Sequence, residues 1–142
     1  MTENVIVDVS VLINASPSKV WETLINPNYI KQYMFGTNTI TTWKKGASII
    51  WKGIWEGKTY EDKGVVLDII PEKLLKYTYW SSISGLEDKP ENYKTITCTL
   101  IKEENNTILK ISQDNNTEAS KKHSEENWKT VGNKIKEIAE SL

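Results

Sequence analysis

Residues 118–142 read EASKKHSEENWKTVGNKIKEIAESL, and this segment decides the architecture. Trp128, Val131, Ile135, Ile138 and Leu142 step by three and four residues, which lines one face of an amphipathic helix. Lys129, Lys134, Lys136, Glu137 and Glu140 occupy other faces, and Glu125 with Lys129 makes a favourably ordered i,i+4 pair. The spacing predicts a helix over Glu118–Ser141. At the usual rise it is ~36 Å long. No other segment is long enough to cover a sheet.

Upstream the period drops to two. Val5, Val7, Val9, Val11 and Ile13 share a face, with Asp8 and Ser10 opposite, so Val5–Ile13 reads as a strand. Ser16 suits an N-cap and Pro17 the first helical position. Val20, Trp21 and Leu24 follow at helical spacing, and Pro27 closes this short helix. A second short helix is expected over about 28–33, ending near Gly36. Strands are then expected over 37–43, Ser48–Trp55, 60–70, 74–80, 93–101 and 107–114. Turn residues stand between them at Lys45–Gly46, Gly57, Pro71 and residues 102–106, with a polar loop over 81–92.

The order is therefore one strand, two short helices, six strands and a long helix, in one domain of 142 residues. An antiparallel sheet with an apolar face needs a cover, and only the final helix can supply it. The expected fold is α+β: a seven-stranded antiparallel sheet curled around the C-terminal helix. Such a sheet need not close completely, and a cavity can persist between the two.

The residues facing that space are aromatic. On Ser48–Trp55, Ile49, Trp51, Gly53 and Trp55 share a face, while Lys52 points away; Gly53 then leaves a gap between two large rings. Asp68 and Lys76 mark the outside of the next two strands. That sends Val65, Leu67, Ile69, Leu75, Tyr77 and Tyr79 inward. Gln113 joins them from the last strand, and Trp128 and Ser124 from the helix. Apolar walls with sparse polar groups are typical of ligand sites. Buried Trp and Tyr serve equally well as plain core, provided their N–H and O–H groups find partners.

Other chemistry finds little footing. Formal net charge is −1 and every one of the 18 basic residues is lysine, so no field favours nucleic acid or an acidic membrane. No apolar run reaches the ~20 residues of a membrane span. The N-terminus alternates like a strand and lacks the basic region and apolar core of a secretion signal. With the single Cys98, which allows no internal disulfide, this leads us to expect a cytoplasmic protein. The sequons at Asn14, Asn105 and Asn115 then have no role. Residues 55–60, WEGKTY, resemble the tail of a phosphate loop, but the position five before Gly57 is Lys52 where glycine is required. His123 is the only histidine, and with Cys98 it falls short of a zinc site. No metal, cofactor or catalytic residue is expected, and turnover is less expected than binding.

Several stretches together resemble the START-like, helix-grip superfamily. They are SPSKVWETLINPNYIKQYM (16–34), the KKG turn before SIIW, KGVVLDIIPEKLLKYTYW (63–80) and NWKTVGNKIKEIAESL (127–142). More narrowly they resemble the family named for the C-terminal domain of the activator of heat shock protein 90 ATPase. The resemblance spans nearly the whole chain. It implies the same helix-gripping sheet over an elongated cavity, with Trp51, Trp55, Tyr77, Tyr79, Gln113, Ser124 and Trp128 lining it. The implied partner is a small hydrophobic or aromatic molecule, lipid or polyketide-like. A chaperone partner is implied by the family name, and the missing separate N-terminal domain of such co-chaperones argues against it. An enzyme or sacrificial resistance protein on this scaffold would instead use Tyr77, Tyr79, Ser124 or Gln113. Ile50, Ile54 and Ile108 on the sheet exterior, beside Lys52 and Lys110, would serve a protein partner or a homodimer. Monomer and homodimer both remain open.

Overall fold

The computed structural model describes residues 5–82 and 85–142, with the side chains of 115 and 116 excepted. Seven antiparallel strands form one sheet in the order β1-β7-β6-β5-β4-β3-β2. These are β1 (Val5–Ile13), β2 (Asn38–Ile40), β3 (Ser48–Trp55), β4 (Lys58–Ile70), β5 (Leu74–Tyr79), β6 (Lys94–Glu103) and β7 (Asn106–Asn116). Two short helices, α1 (Pro17–Ile25) and α2 (Pro27–Tyr33), follow β1, and α3 (Glu118–Ser141) ends the chain. This is the helix-grip arrangement that the final segment required.

Local chemistry sets the helix ends. Ser16 caps α1 by accepting from the Lys19 N–H, and Asn26 caps α2 through the Asn28 N–H at 2.9 Å. Pro27 therefore does two things: it stops α1 and starts α2. Thr117 and Ser120 form a reciprocal capping box at the start of α3. The apolar stripe of α3 faces the sheet, with Trp128, Val131, Ile135 and Ile138 buried. Gly132 lets the helix approach β1, since a Cβ there would sit 2.8 Å from Val11 Cγ2. The main core joins this stripe to inward residues of β1, β5, β6, β7 and both short helices.

Four expectations need correction. The strand expected over 37–43 shrinks to Asn38–Ile40, and Trp43, at a φ of +56°, turns the chain out of extended geometry. Val65 and Leu67 face solvent, and Val66 is the buried residue. A register shift between Val66 and Asp68 explains this: the bulge puts Leu67 and Asp68 outward together and resets the alternation, so Ile69 turns back in. The space beside Gly53 is not a gap. The Tyr60 ring lies over it, and a Cβ on Gly53 would fall 2.3 Å from the Tyr60 hydroxyl. Ile54, assigned to the outer face, stands at the edge of the pocket described next. Of the 81–92 loop, residues 83 and 84 lie outside the described residues; Pro90–Asn92 form a single 3-10 turn.

Candidate functional site

Tight pairing of β3 and β4 builds the site. Their two-residue turn, Glu56–Gly57, has positive φ at both positions, the geometry that matches strand twist. Register then pairs Gly53 with Tyr60 and Trp51 with Asp62. Tyr60 and Asp62 therefore share the inner face with Trp51. β5 adds Tyr77 and Tyr79 alongside. Trp51 meets both of these rings, at centroid distances of 5.7 Å and 5.2 Å, the second edge-on. Tilted and edge-on pairs of this kind are favourable beyond simple burial.

Between these rings and α3 lies a pocket of about 260 Å³. Ile96, Gln113, Trp128 and Val131 form its far wall. Its mouth is rimmed by Phe35, Ile54 and Trp55, each more than half exposed. Phe35 is presented there by a sharp turn after α2, in which Phe35 and Gly36 both adopt positive φ. A much smaller void, about 20 Å³, lies deeper, under Trp51, Tyr77 and Trp128 and against Tyr33 and Cys98.

The polar groups of the pocket are mostly committed to each other. The Trp128 indole N–H donates to Gln113 Oε1 at 2.7 Å in a buried setting. The Tyr79 hydroxyl donates to Asp62 Oδ2 at 2.7 Å, and Ser82 donates its N–H and hydroxyl to Oδ1. The Thr37 hydroxyl donates to the Met34 carbonyl, so the 2.5 Å contact with Tyr60 must be Tyr60 donating. Burial raises the Tyr77 and Tyr79 phenols well above their ordinary range, and Asp62 adds to the shift at Tyr79. Both stay protonated at neutral pH. Cys98 is also pushed up, to about 12, by burial; this is the opposite of an activated thiol. His123 is exposed near the start of α3. Among the described residues, no three His, Cys, Asp or Glu side chains gather as a metal site.

Of the seven residues named from sequence, Trp51, Tyr77, Tyr79, Gln113 and Trp128 surround the pocket body. Trp55 stands at its mouth, 56% exposed. Ser124 faces an adjoining pocket of about 210 Å³ with His123 and Lys94, beyond Gln113 and Trp128. Tyr60, Asp62, Thr37 and Phe35 were missed. Tyr60 and Asp62 were within reach of the sequence: a two-residue Glu-Gly turn places 53 opposite 60 and 51 opposite 62.

A seven-stranded sheet gripping a long C-terminal helix, with the pocket between them, defines the START-like, helix-grip class. The chain belongs to the family described as Activator of Hsp90 ATPase homolog 1-like protein, whose model matches residues 14–140. Among solved structures it is similar to ChR145 from Cytophaga hutchinsonii. Identity is 44%, coverage is 99% of this chain and 97% of that one, and the TM-score is 0.86. Two further likenesses concern the fold alone. Ara h 8.0201 is 9% identical, with 99% and 100% of the two chains covered and a TM-score of 0.78. DynU16, from the dynemicin biosynthetic locus, is 17% identical, with 96% of this chain and 47% of that one covered and a TM-score of 0.77. No protein of curated function matches the sequence. No helix among the described residues is long and apolar enough to cross a membrane.

Proposed function

We propose that this single-domain protein binds a small hydrophobic or aromatic molecule between its sheet and C-terminal helix, in the cytoplasm. The observation that carries this reading is the aromatic pocket of about 260 Å³ opening through an apolar rim. Its volume falls just below the ~300–1,000 Å³ usual for ligand sites, which favours a compact ring system over a long acyl chain. Trp51, Tyr77, Tyr79 and Trp128 would contact the ligand's faces, Gln113 would hold the Trp128 ring, and Trp55 would close over the entrance. Ser124 would belong to the adjoining pocket.

Committed hydrogen bonds favour binding over turnover. Tyr79 and Gln113 are each tied to a neighbouring side chain, and Ser124 lies in another pocket, so the candidate groups do not converge on one reacting atom. A chaperone-facing role would need the outer sheet face, and Ile54 is diverted from that face to the pocket rim.

Native mass spectrometry of the protein purified from its own host tests the proposal. The expected result is a stoichiometric small-molecule adduct that disappears on denaturing extraction. A bare chain, together with a heat shock protein 90 homologue co-purifying in fixed ratio, would overturn it in favour of the chaperone role.

A further inference from the structure

The pocket is unbalanced in charge. Seven aromatic side chains line it: Phe35 and Trp55 at the mouth, with Trp51, Tyr60, Tyr77, Tyr79 and Trp128 inside. Among the described residues, Asp62 is the only carboxylate or ammonium in its lining, and no lysine reaches the wall. Asp62 is 5% exposed and forms none of the ion pairs among the described residues. Among the described residues its charge is offset by three donors, from Tyr79 and Ser82. A carboxylate offers about four lone-pair sites, so Oδ2, which among the described residues receives Tyr79 alone, keeps one open.

The hydroxyl directions add to this. Tyr60 spends its proton on Thr37 and Tyr79 spends its proton on Asp62. The Tyr60 phenol oxygen is left as an acceptor, whereas that of Tyr79 already has the Ser81 side chain as a hydrogen-bond partner. The ring faces are themselves negative in their quadrupole, and a desolvated cation gains from each one it approaches. The Tyr60 acceptor, ring faces and a buried carboxylate all favour a positive guest and oppose an anionic one such as a fatty acid.

We infer that the ligand carries a cationic nitrogen, a protonated amine or quaternary ammonium, on its hydrophobic body, seated between Asp62 and the surrounding rings. The inference rests on the binding role proposed above and specifies the ligand class for that same pocket.

Calorimetric titration of the intact chain at neutral pH with three probes of shared ring and differing charge tests it: naphthylmethylammonium, naphthylmethanol and naphthylacetate. The ammonium should bind about tenfold more tightly than the alcohol, and the acetate more weakly than the alcohol. In Asp62→Asn the ratio of ammonium to alcohol affinity should fall to about one, whatever happens to the affinity of each. If Asp62→Asn fails to fold, the order of the three probes on the unaltered chain decides alone. Equal binding of ammonium and alcohol, or tightest binding of the acetate, would overturn the charge inference and leave the binding role standing. Binding of none would overturn both.

Discussion

Gly53 and Gly64 lie on paired strands and face different neighbours. A Cβ on Gly53 would meet the tip of the Tyr60 side chain, which can swing aside. A Cβ on Gly64 would fall 1.8 Å from the Thr78 carbonyl oxygen, which is backbone and cannot. Gly64→Ala should therefore cost about 3 kcal/mol or more, and Gly53→Ala about 1 kcal/mol. Urea unfolding of the two variants checks the order, and equal losses would contradict it. The Gln113–Trp128 bond makes a second residue-scale prediction. Gln113→Leu should destabilise by about 1–3 kcal/mol, because it strands a buried indole N–H. Adding Trp128→Phe should recover part of that loss, since the orphaned donor then disappears.

Element by element, β4 separates what the sequence revealed from what it hid. The helix stripe on α3, the cap at Ser16 and the alternation of β1 and β7 were all legible, because each depends on neighbours along the chain. The inner face of β4 was not, because it was assigned from Asp68, on the far side of a bulge. A bulge moves one residue without leaving a mark in composition. Counting from the Glu56–Gly57 turn instead would have placed Tyr60, Asp62, Gly64 and Val66 inward. The two assignments give opposite mutational outcomes. Val66→Ala should cost about 2 kcal/mol and Leu67→Thr less than about 0.5 kcal/mol. The reverse order in urea denaturation would restore uninterrupted alternation. The candidate site was half legible for the same reason: its aromatic rings advertise themselves, while Asp62 becomes a pocket group only through strand register.

At the scale of the molecule, the pocket and the core beneath it hold a set of buried acids in their protonated form. Tyr33, Tyr77 and Tyr79 are raised above the ordinary phenol value of 10.0, and Cys98 is raised to about 12, in each case chiefly by burial. Above those ordinary values the unfolded chain has released protons that the folded chain still holds. Stability from these groups is therefore complete below pH ~8.5, and it falls as pH climbs through the folded values. The urea midpoint should be lower at pH ~11 than at pH ~8. An unchanged midpoint would mean that these hydroxyls and the thiol reach water.

If the space between sheet and helix is a binding site, three of the protein's six tryptophans stand where they would report on it directly. The measurement is a heteronuclear magnetic resonance titration of the intact chain with naphthylmethanol, following the indole N–H signals. Trp51, Trp55 and Trp128 should shift together and saturate, while Trp21, which packs in the core away from the pocket, stays still. Unmoved indoles with shifts confined to Ile50, Lys52 and Lys110 on the outer face would contradict the account.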